Sequence, residues 1–313
     1  MNNEKNSGDK NYTKNDWQKL WTILEKLIVY GAILCISLPI FIIVHRNLPN
    51  VNWKFNLDRI IIFALIVFIL WFFVKFVRKI FFVFCLCIIG LLSVGSLTNK
   101  YGFASLALDY QAMIHSMKDS NKPQKILINK VAFNSSDALI LKAMDFTNPE
   151  VRTFALEAIN KHFKEYQSDS RYRTTIQCLA IFKEINSRWT YVNDPVGQEY
   201  YAKASESIKT LSGDCDDHSI LMASCIRAVG GLPRLVYTVG HIYPELYIGD
   251  ESDLESINFL IKHKLFDKES KGRSLYYHID QDGKIWLNLD YTAHYPGGPF
   301  YNNKVLGVID VEN

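Results

Sequence analysis

The stretch Gly213–His218 places one cysteine, Cys215, where a helix is expected to begin. Glycine allows the preceding turn, Asp214 is a favoured N-cap residue, and mainly apolar residues then continue without a break to Gly230-Gly231. The free N–H groups and the dipole at a helix N-terminus stabilise a thiolate, which is the reactive form of cysteine. Cys215 is therefore a candidate nucleophile, and a buried structural cysteine is the alternative.

A thiolate at Cys215 would need a cationic partner. The carboxylates of Asp216 and Asp217 follow it directly and oppose a second negative charge. A histidine is the partner that we expect, because its imidazole is readily protonated near neutral pH.

Helices are expected before Cys215 and strands after it. The apolar spacing predicts helices over 106–117, 136–144, 151–166, 176–189 and 200–211, followed by a buried central helix over 215–229. Alternating segments predict strands over 234–239, 240–248, 275–280 and 284–290, with a helical insertion over 250–264. Pro244 suggests that the second of these strands is an edge strand or carries a bulge. Helices followed by antiparallel strands indicate an α+β domain.

The first third of the chain contains three apolar runs of membrane-spanning length. The uncharged runs 27–44 and 80–97 each have 18 residues, and the run 60–77 is broken only by Lys75. Their Phe, Ile, Leu and Val content fits lipid-facing helices, so we expect a membrane anchor. A buried hairpin in a soluble core is the alternative.

The number of spans decides the orientation. Only residues 75–79 separate the second and third runs, which leaves two or three spans open. With three spans, the basic residues on one side are Lys5, Lys10, Lys14, Lys19, Lys75, Arg78 and Lys79. Those on the other side are Arg46, Lys54, Arg59 and Lys100. The more basic side is expected in the cytoplasm, which places the soluble part outside, and with two spans this argument reverses.

Composition excludes some function classes. The chain has 35 basic and 32 acidic residues and a net charge of +3, so no strong basic field predicts nucleic-acid binding. Of the six cysteines, three lie in the apolar first third, which leaves an odd number in the remainder and no disulfide framework.

Several segments together resemble the transglutaminase-like superfamily, the papain-like group that includes bacterial transglutaminase-like cysteine proteases. The resemblance covers about residues 172–300. Its pieces are Trp189-Thr-Tyr-Val-Asn-Asp-Pro195, Gly213-Asp-Cys-Asp-Asp217, 221–234, Gly240-His-Ile-Tyr-Pro-Glu245 and Trp286-Leu-Asn-Leu-Asp-Tyr-Thr292. It implies a papain-like core in which a central helix packs on an antiparallel sheet.

The resemblance also implies a catalytic triad of Cys215, His241 and Asp290. In such a triad an imidazole activates the thiol and a carboxylate orients the imidazole. The insertion between His241 and Asp290 lengthens their usual spacing, which leaves His278 as a rival base.

Two metal sites are alternatives near the nucleophile. His218 follows Cys215 by three residues, a spacing that suits zinc ligands, with Cys225 further along. Asp214 and Asp216 flank Cys215, and carboxylates in such positions bind calcium in some related bacterial proteases. Capping of the helix is an adequate explanation of these two aspartates without calcium. We expect neither a metal nor another cofactor.

The sequence thus predicts a polar tail (1–19), a transmembrane region of two to three helices (20–99), a helical linker or subdomain (100–170) and a transglutaminase-like domain (171–313). The expected protein is an integral protein of the plasma or inner membrane with its soluble domain on the extracytoplasmic side. It would act on amides of protein or peptide substrates through an acyl-enzyme, as a cysteine protease, deamidase or transglutaminase. The alternative is a non-catalytic interaction module on a membrane anchor.

Overall fold

The computed structural model describes residues 14–47, 57–98, 100–118, 124–127, 137–167, 171–194, 200–302 and 304–311. Most of the predicted polar tail, together with Lys5, Lys10 and Lys54, lies outside the described residues. The chain divides into two compact units, residues 1–95 and residues 96–313.

The N-terminal unit consists, in its described part, of two long helices, α1 (Lys14–Asn47) and α2 (Leu57–Leu97). The second and third apolar runs merge in α2, whose backbone leaves helical geometry only at Val77, with φ −113° and ψ 22°. The described part of this unit thus contains two helices, the second of which is kinked at Val77. Pro39 lies inside α1, which stays helical around it.

Both helices are long and apolar enough to cross a membrane. In the most apolar stretch of α1 only 22% is buried, and in the most apolar stretch of α2 only 11% is buried. A small contact cluster joins them, in which Val29 and Ile33 of α1 pack with Val74 and Phe82 of α2. The apolar side chains mostly face outward, so these helices do not have the burial of a soluble core hairpin.

The C-terminal unit contains the predicted helices with boundaries shifted by a few residues. They are α3 (Phe103–Lys118), α4 (Asp137–Ala143), α5 (Pro149–Lys161), α6 (Arg173–Arg188), α7 (Ala204–Thr210), α8 (Cys215–Ala228) and α9 (Glu251–Leu260). A 3-10 turn at Lys164–Tyr166 and a π-helical turn at Ile261–Leu265 follow α5 and α9. In α5, the Asn148 side chain accepts the N–H of Glu150 and Pro149 occupies the first position, which is where proline is favoured in a helix.

The sheet is mixed but largely antiparallel. Its strands are β1 (Gln124–Leu127), β4 (Pro233–Thr238), β5 (His241–Gly249), β6 (Tyr276–Ile279), β7 (Ile285–Asn288) and β8 (Val305–Asp310). Their spatial order is β1-β6-β7-β5-β4-β8, and every pair is antiparallel except β1 with β6. A separate parallel pair joins β2 (Thr190–Tyr191) to β3 (Ser212–Gly213). The four predicted strands are β4 to β7, whereas β1 and β8 were not predicted.

Of the two interpretations of Pro244, the edge strand is wrong, whereas β5 does carry a bulge or irregularity, between Tyr247 and Gly249. β5 lies inside the sheet between β7 and β4. A strand residue directs its N–H and C=O toward the same neighbour, and the C=O of Pro244 accepts the N–H of Leu289 just beyond β7, which ends at Asn288. The missing N–H therefore faces the end of β7, where a proline costs little.

Helix α8 forms the centre of the C-terminal unit. Ile220, Leu221, Met222, Ala223, Cys225 and Ile226 are fully buried. The helix contacts β4 and β5 on one side and α5, α6 and α7 on the other. The nearly all-round apolar pattern predicted this burial, and the start of α8 is consequently held against the strand that carries His241.

Candidate active site

Cys215 is the first residue of α8. The side chain of Asp214 caps the helix by accepting the N–H of Asp216 at 3.2 Å. Gly213 precedes the capping residue Asp214 and has a φ of +154°. A Cβ on Gly213 would lie 2.3 Å from the Asp217 carboxylate. The turn into the helix therefore requires glycine. Cys215 is partly exposed, whereas Cys178 and Cys225 are buried and burial raises the pKa of both thiols, to about 12 for Cys178.

A buried serine ties the start of α8 to β5. Ser219 Oγ lies 2.6 Å from the carbonyl oxygen of Cys215 and 3.1 Å from that of Ile242, the residue after His241. Ser219 is fully buried. This side chain therefore links the backbone of the thiol-bearing residue to the strand that holds the histidine. The sequence prediction did not include it.

His241 begins β5 directly after a tight hairpin turn. The partners Thr238 and His241 enclose only Val239 and Gly240, and Gly240 has φ +70°, which glycine adopts readily. Thr238 Oγ1 donates to the His241 carbonyl oxygen at 3.2 Å. The turn thus fixes the position of the His241 side chain at one end of the sheet.

Asp290 follows β7 and pairs with His241. Its Oδ2 lies 2.8 Å from His241 Nε2, and both side chains are buried. Asp290 Oδ1 accepts the N–H of Thr292 at 3.0 Å, and its own N–H donates to Asn288 Oδ1 at 3.0 Å. These bonds hold the carboxylate in one orientation, so it can fix the histidine ring.

The thiol of Cys215 lies close enough to His241 to affect its pKa. Burial lowers the pKa of His241, but the hydrogen bond to the Asp290 carboxylate and the interaction with Cys215 raise it more, so that it reaches about 9. Because Nε2 is used by Asp290, the other ring nitrogen is the one available to the thiol. At neutral pH an imidazolium therefore lies beside the Cys215 thiol, which is the arrangement that thiol catalysis needs.

His278 lies in a different environment. Its Nδ1 contacts Glu245 Oε1, and Arg234 Nε donates to Glu245 Oε2 at 2.8 Å. All three side chains are buried, and the His278 ring stacks on Phe300 with ring centroids 4.2 Å apart. Burial raises the pKa of Glu245, but the adjacent Arg234 and His278 lower it below its ordinary value. His278 thus belongs to a buried ion-pair group, whereas His241 is the histidine that contacts Cys215.

His218 packs behind the site as a neutral ring. It is fully buried, and its Nε2 lies 2.9 Å from Asn186 Oδ1. Burial lowers the pKa of His218 to about 3. The ring contacts Trp189 and Tyr291, with centroid distances of 5.2 and 5.4 Å. Its partners are therefore an amide and two aromatic rings, which suit a packing residue better than a zinc ligand.

Three carboxylates lie beside the nucleophile. The ligand atoms of Asp214, Asp216 and Asp217 are within 4.8 Å of one another, the only such group among the described residues. Burial and the hydrogen bond to Asp214 raise the pKa of Asp216, and burial raises that of Asp217 to about 6. Asp217 also accepts the N–H of Ala202 at 2.8 Å. Within this cluster, Asp214 caps α8 and Asp217 fixes the segment before α7.

Tyrosines surround the thiol and the imidazole. Tyr191 and Tyr291 stack with ring centroids 5.4 Å apart. Burial raises the pKa of both phenols and nearby Cys215 raises it further. Tyr291 and Tyr301 lie 5.7 and 5.1 Å from the His241 ring, and Tyr301 is 69% exposed. The sequence prediction assigned no role to these rings, because only the fold brings them together.

Comparison with known proteins gives one match. Residues 161–290 match the family model described as Transglutaminase-like superfamily. No curated protein and no solved structure matches the chain. The matched range contains Cys215, His241 and Asp290 and ends at the last of them. Residues 161–290 of this chain therefore form a domain of the transglutaminase-like superfamily.

Proposed function

We propose that the protein is a membrane-anchored thiol enzyme that acts on peptide or glutamine amides through an acyl-enzyme. The observation that carries this proposal is the position of His241, which hydrogen-bonds the Asp290 carboxylate and lies beside the Cys215 thiol. The chemistry requires no cofactor. The substrate is a protein or a peptide, and the enzyme is a cysteine protease, a deamidase or a transglutaminase.

Cys215 is the nucleophile and His241 the general base and acid. His241 holds the thiol proton as an imidazolium, and the sulfur attacks the amide carbonyl carbon. The C–N bond then breaks as His241 returns that proton to the leaving nitrogen, which yields an acyl thioester and a free amine or ammonia. Water or a second amine attacks the thioester, His241 takes its proton, and the proton returns to sulfur as the C–S bond breaks.

The start of α8 would stabilise the oxyanion that forms in these steps. The described residues provide no backbone acceptor for the N–H of Cys215. This N–H stands at the positive end of a 14-residue helix. A donor in that position stabilises the tetrahedral intermediate more than the ground state, because charge develops on the carbonyl oxygen.

We also propose an orientation in the membrane. Helix α2 has 41 residues and is about 60 Å long at 1.5 Å per residue, about twice the hydrocarbon core of a bilayer. Its apolar halves meet at Val77, beside Lys75, Arg78 and Lys79. In our proposal the two halves cross separately and this basic segment is cytoplasmic, so the catalytic domain lies outside the plasma or inner membrane.

The experiment that tests the enzyme proposal measures the reactivity of Cys215 in the full-length chain. We expect iodoacetamide to alkylate Cys215 at pH 7 at least ten times faster than glutathione, and His241→Gln to remove this difference. A non-catalytic module has no chemical need for a histidine placed between its cysteine and an aspartate. Equal rates for Cys215 and glutathione would favour the module and reject the enzyme.

A further inference from the structure

A cavity of about 150 Å³ lies between α1 and α2 in the N-terminal unit. The side chains that line it are Lys26, Val29, Tyr30, Ile33, Trp71, Val74, Lys75 and Arg78. Three of these are cationic, three are aliphatic and two are aromatic with a polar atom. The cavity is far along the chain from Cys215, and nothing in the proposed catalysis uses it.

The lining residues are arranged in order along the helices. In α1, Lys26 precedes Val29 and Ile33, and in α2, Val74 precedes Lys75 and Arg78. Val29, Ile33 and Val74 are buried together in the contact between the two helices. The cations therefore gather at one end of the cavity, and the aliphatic wall extends from there toward the apolar runs. This is the polarity of a phospholipid, with an anionic head and an apolar tail.

The charge at this end is not neutralised. Arg78 pairs with Glu25 at 3.0 Å, and Lys75 lies over the Trp71 ring at 5.4 Å. Within the described parts of the chain, neither Lys26 nor Lys75 has a carboxylate within ion-pair distance. Two lysines that line one cavity without a carboxylate partner repel each other, and a phosphate in the cavity would offset that repulsion.

The cavity also lies at the level expected for lipid headgroups. Val77, where α2 departs from helical geometry, directly follows the Lys75 turn and separates two apolar segments. Tyr30 and Trp71 also line the cavity, and such side chains are enriched at membrane–water interfaces. Basic pockets between membrane helices on the cytoplasmic side are suited to anionic headgroups.

We propose that this cavity binds the phosphate of one anionic phospholipid through Lys26 and Lys75, with an acyl chain against Val29, Ile33 and Val74. The proposal depends on the membrane insertion proposed above and is independent of the catalytic assignment. The same phosphate chemistry could be supplied by free phosphate, so the test separates the two sources.

The test is native mass spectrometry of the full-length protein in detergent, titrated with phosphatidylglycerol. We expect one tightly retained lipid, with phosphatidylcholine bound at least ten times more weakly. Each lysine should contribute about five-fold, so Lys75→Gln should raise the Kd about five-fold and Lys26→Gln with Lys75→Gln about twenty-five-fold. Lys79→Gln is the matched control, because it removes an equal charge from the same turn outside the cavity lining, and it should change the Kd less than two-fold.

Equal losses for Lys79→Gln and Lys75→Gln would show diffuse attraction and overturn the proposal. Equal binding of phosphatidylcholine would also overturn it. Displacement of the lipid by 20 mM inorganic phosphate would assign the cavity to a free anion rather than to a lipid. Separately, complete release of the protein from membranes by alkaline carbonate would reject the membrane anchor itself, whatever the lipid titration gives.

Discussion

His241 Nε2 lies 2.8 Å from Asp290 Oδ2, although 48 residues and an inserted helix separate the two in sequence. The contact forms because β5 and β7 are neighbours in the sheet and each brings one of the two residues to the same end. The N–H of Leu289 donates to the carbonyl oxygen of Pro244 at 3.0 Å, which fixes the two strands beside the contact. The insertion α9 therefore lengthens the connection without separating the pair.

Asp290→Asn should lower the reactivity of Cys215 on the order of 10²-fold while the protein stays folded. The amide has nearly the same size but no charge, so it cannot stabilise the imidazolium of His241 or fix its tautomer as firmly. Iodoacetamide labelling followed by mass spectrometry measures this without knowledge of the substrate. Cys215→Ser and His241→Gln should each lose at least about 10³-fold. An Asp290→Asn protein with unchanged labelling would remove Asp290 from the triad.

His278→Gln should keep most of the reactivity of Cys215 but lower stability by about 1–3 kcal/mol, because buried Glu245 loses one of its two partners. Urea unfolding measures the stability, and thiol labelling measures the reactivity. The assignment of the base to His241 fails if folded His278→Gln is unreactive while folded His241→Gln labels normally.

Ser219→Ala tests whether the link between α8 and β5 positions the nucleophile. We expect about 1 kcal/mol of lost stability and a roughly ten-fold slower labelling of Cys215, because two carbonyl oxygens lose the hydroxyl that joins them. Ser224→Ala is the matched control. Its hydroxyl is equally buried in the same helix but bonds only the carbonyl oxygen of Ile220, at 2.6 Å. Equal labelling by both variants would mean that Ser219 serves stability alone.

The sequence predicted the part of the site that depends on local signals. Gly213 and Asp214 signal the helix start that carries Cys215, and Gly240 signals the hairpin that carries His241. The contacts of Ser219 with Ile242 and of Asn186 with His218 join residues 23 and 32 positions apart. Neither leaves a periodic pattern in the chain, so only the folded structure reveals them.

The same distinction holds for the fold. Helices α5, α6 and α8 have strong apolar periodicity and caps, and their existence was predicted. β8 was missed because it pairs with β4, about 70 residues earlier, and only Ile309 within it is buried. The strand β1 was missed because its pairing with β6 is parallel and distant in sequence. The basic segment Lys75–Lys79 suits a tight turn and a bent helix equally well. The sequence therefore could not predict that the two apolar runs form one helix, α2.

The pH dependence of labelling should follow His241. Its pKa is raised from 6.5 to about 9, so the interaction with Asp290 and Cys215 is fully present below pH 6.5 and is lost as pH rises through about 9. We therefore expect the difference in labelling rate between wild type and His241→Gln to be constant from pH 6 to 8 and to shrink above pH 9. The stability difference between them should be fully present below pH 6.5 and fall progressively between pH 6.5 and about 9. A difference that disappears already near pH 6.5 would mean that Asp290 does not hold the imidazolium.

The side of the membrane that holds the catalytic domain can be tested with Cys215 itself. Because α2 is about twice as long as a bilayer core is thick, we expect its two apolar halves to cross separately and the domain to lie outside. A membrane-impermeant maleimide should then label Cys215 in intact cells, with Cys215→Ser as the control that identifies the labelled site. Permeabilisation should increase this labelling less than two-fold. Labelling that requires permeabilisation would place the domain in the cytoplasm and leave the segment after Val77 as a helix that does not cross.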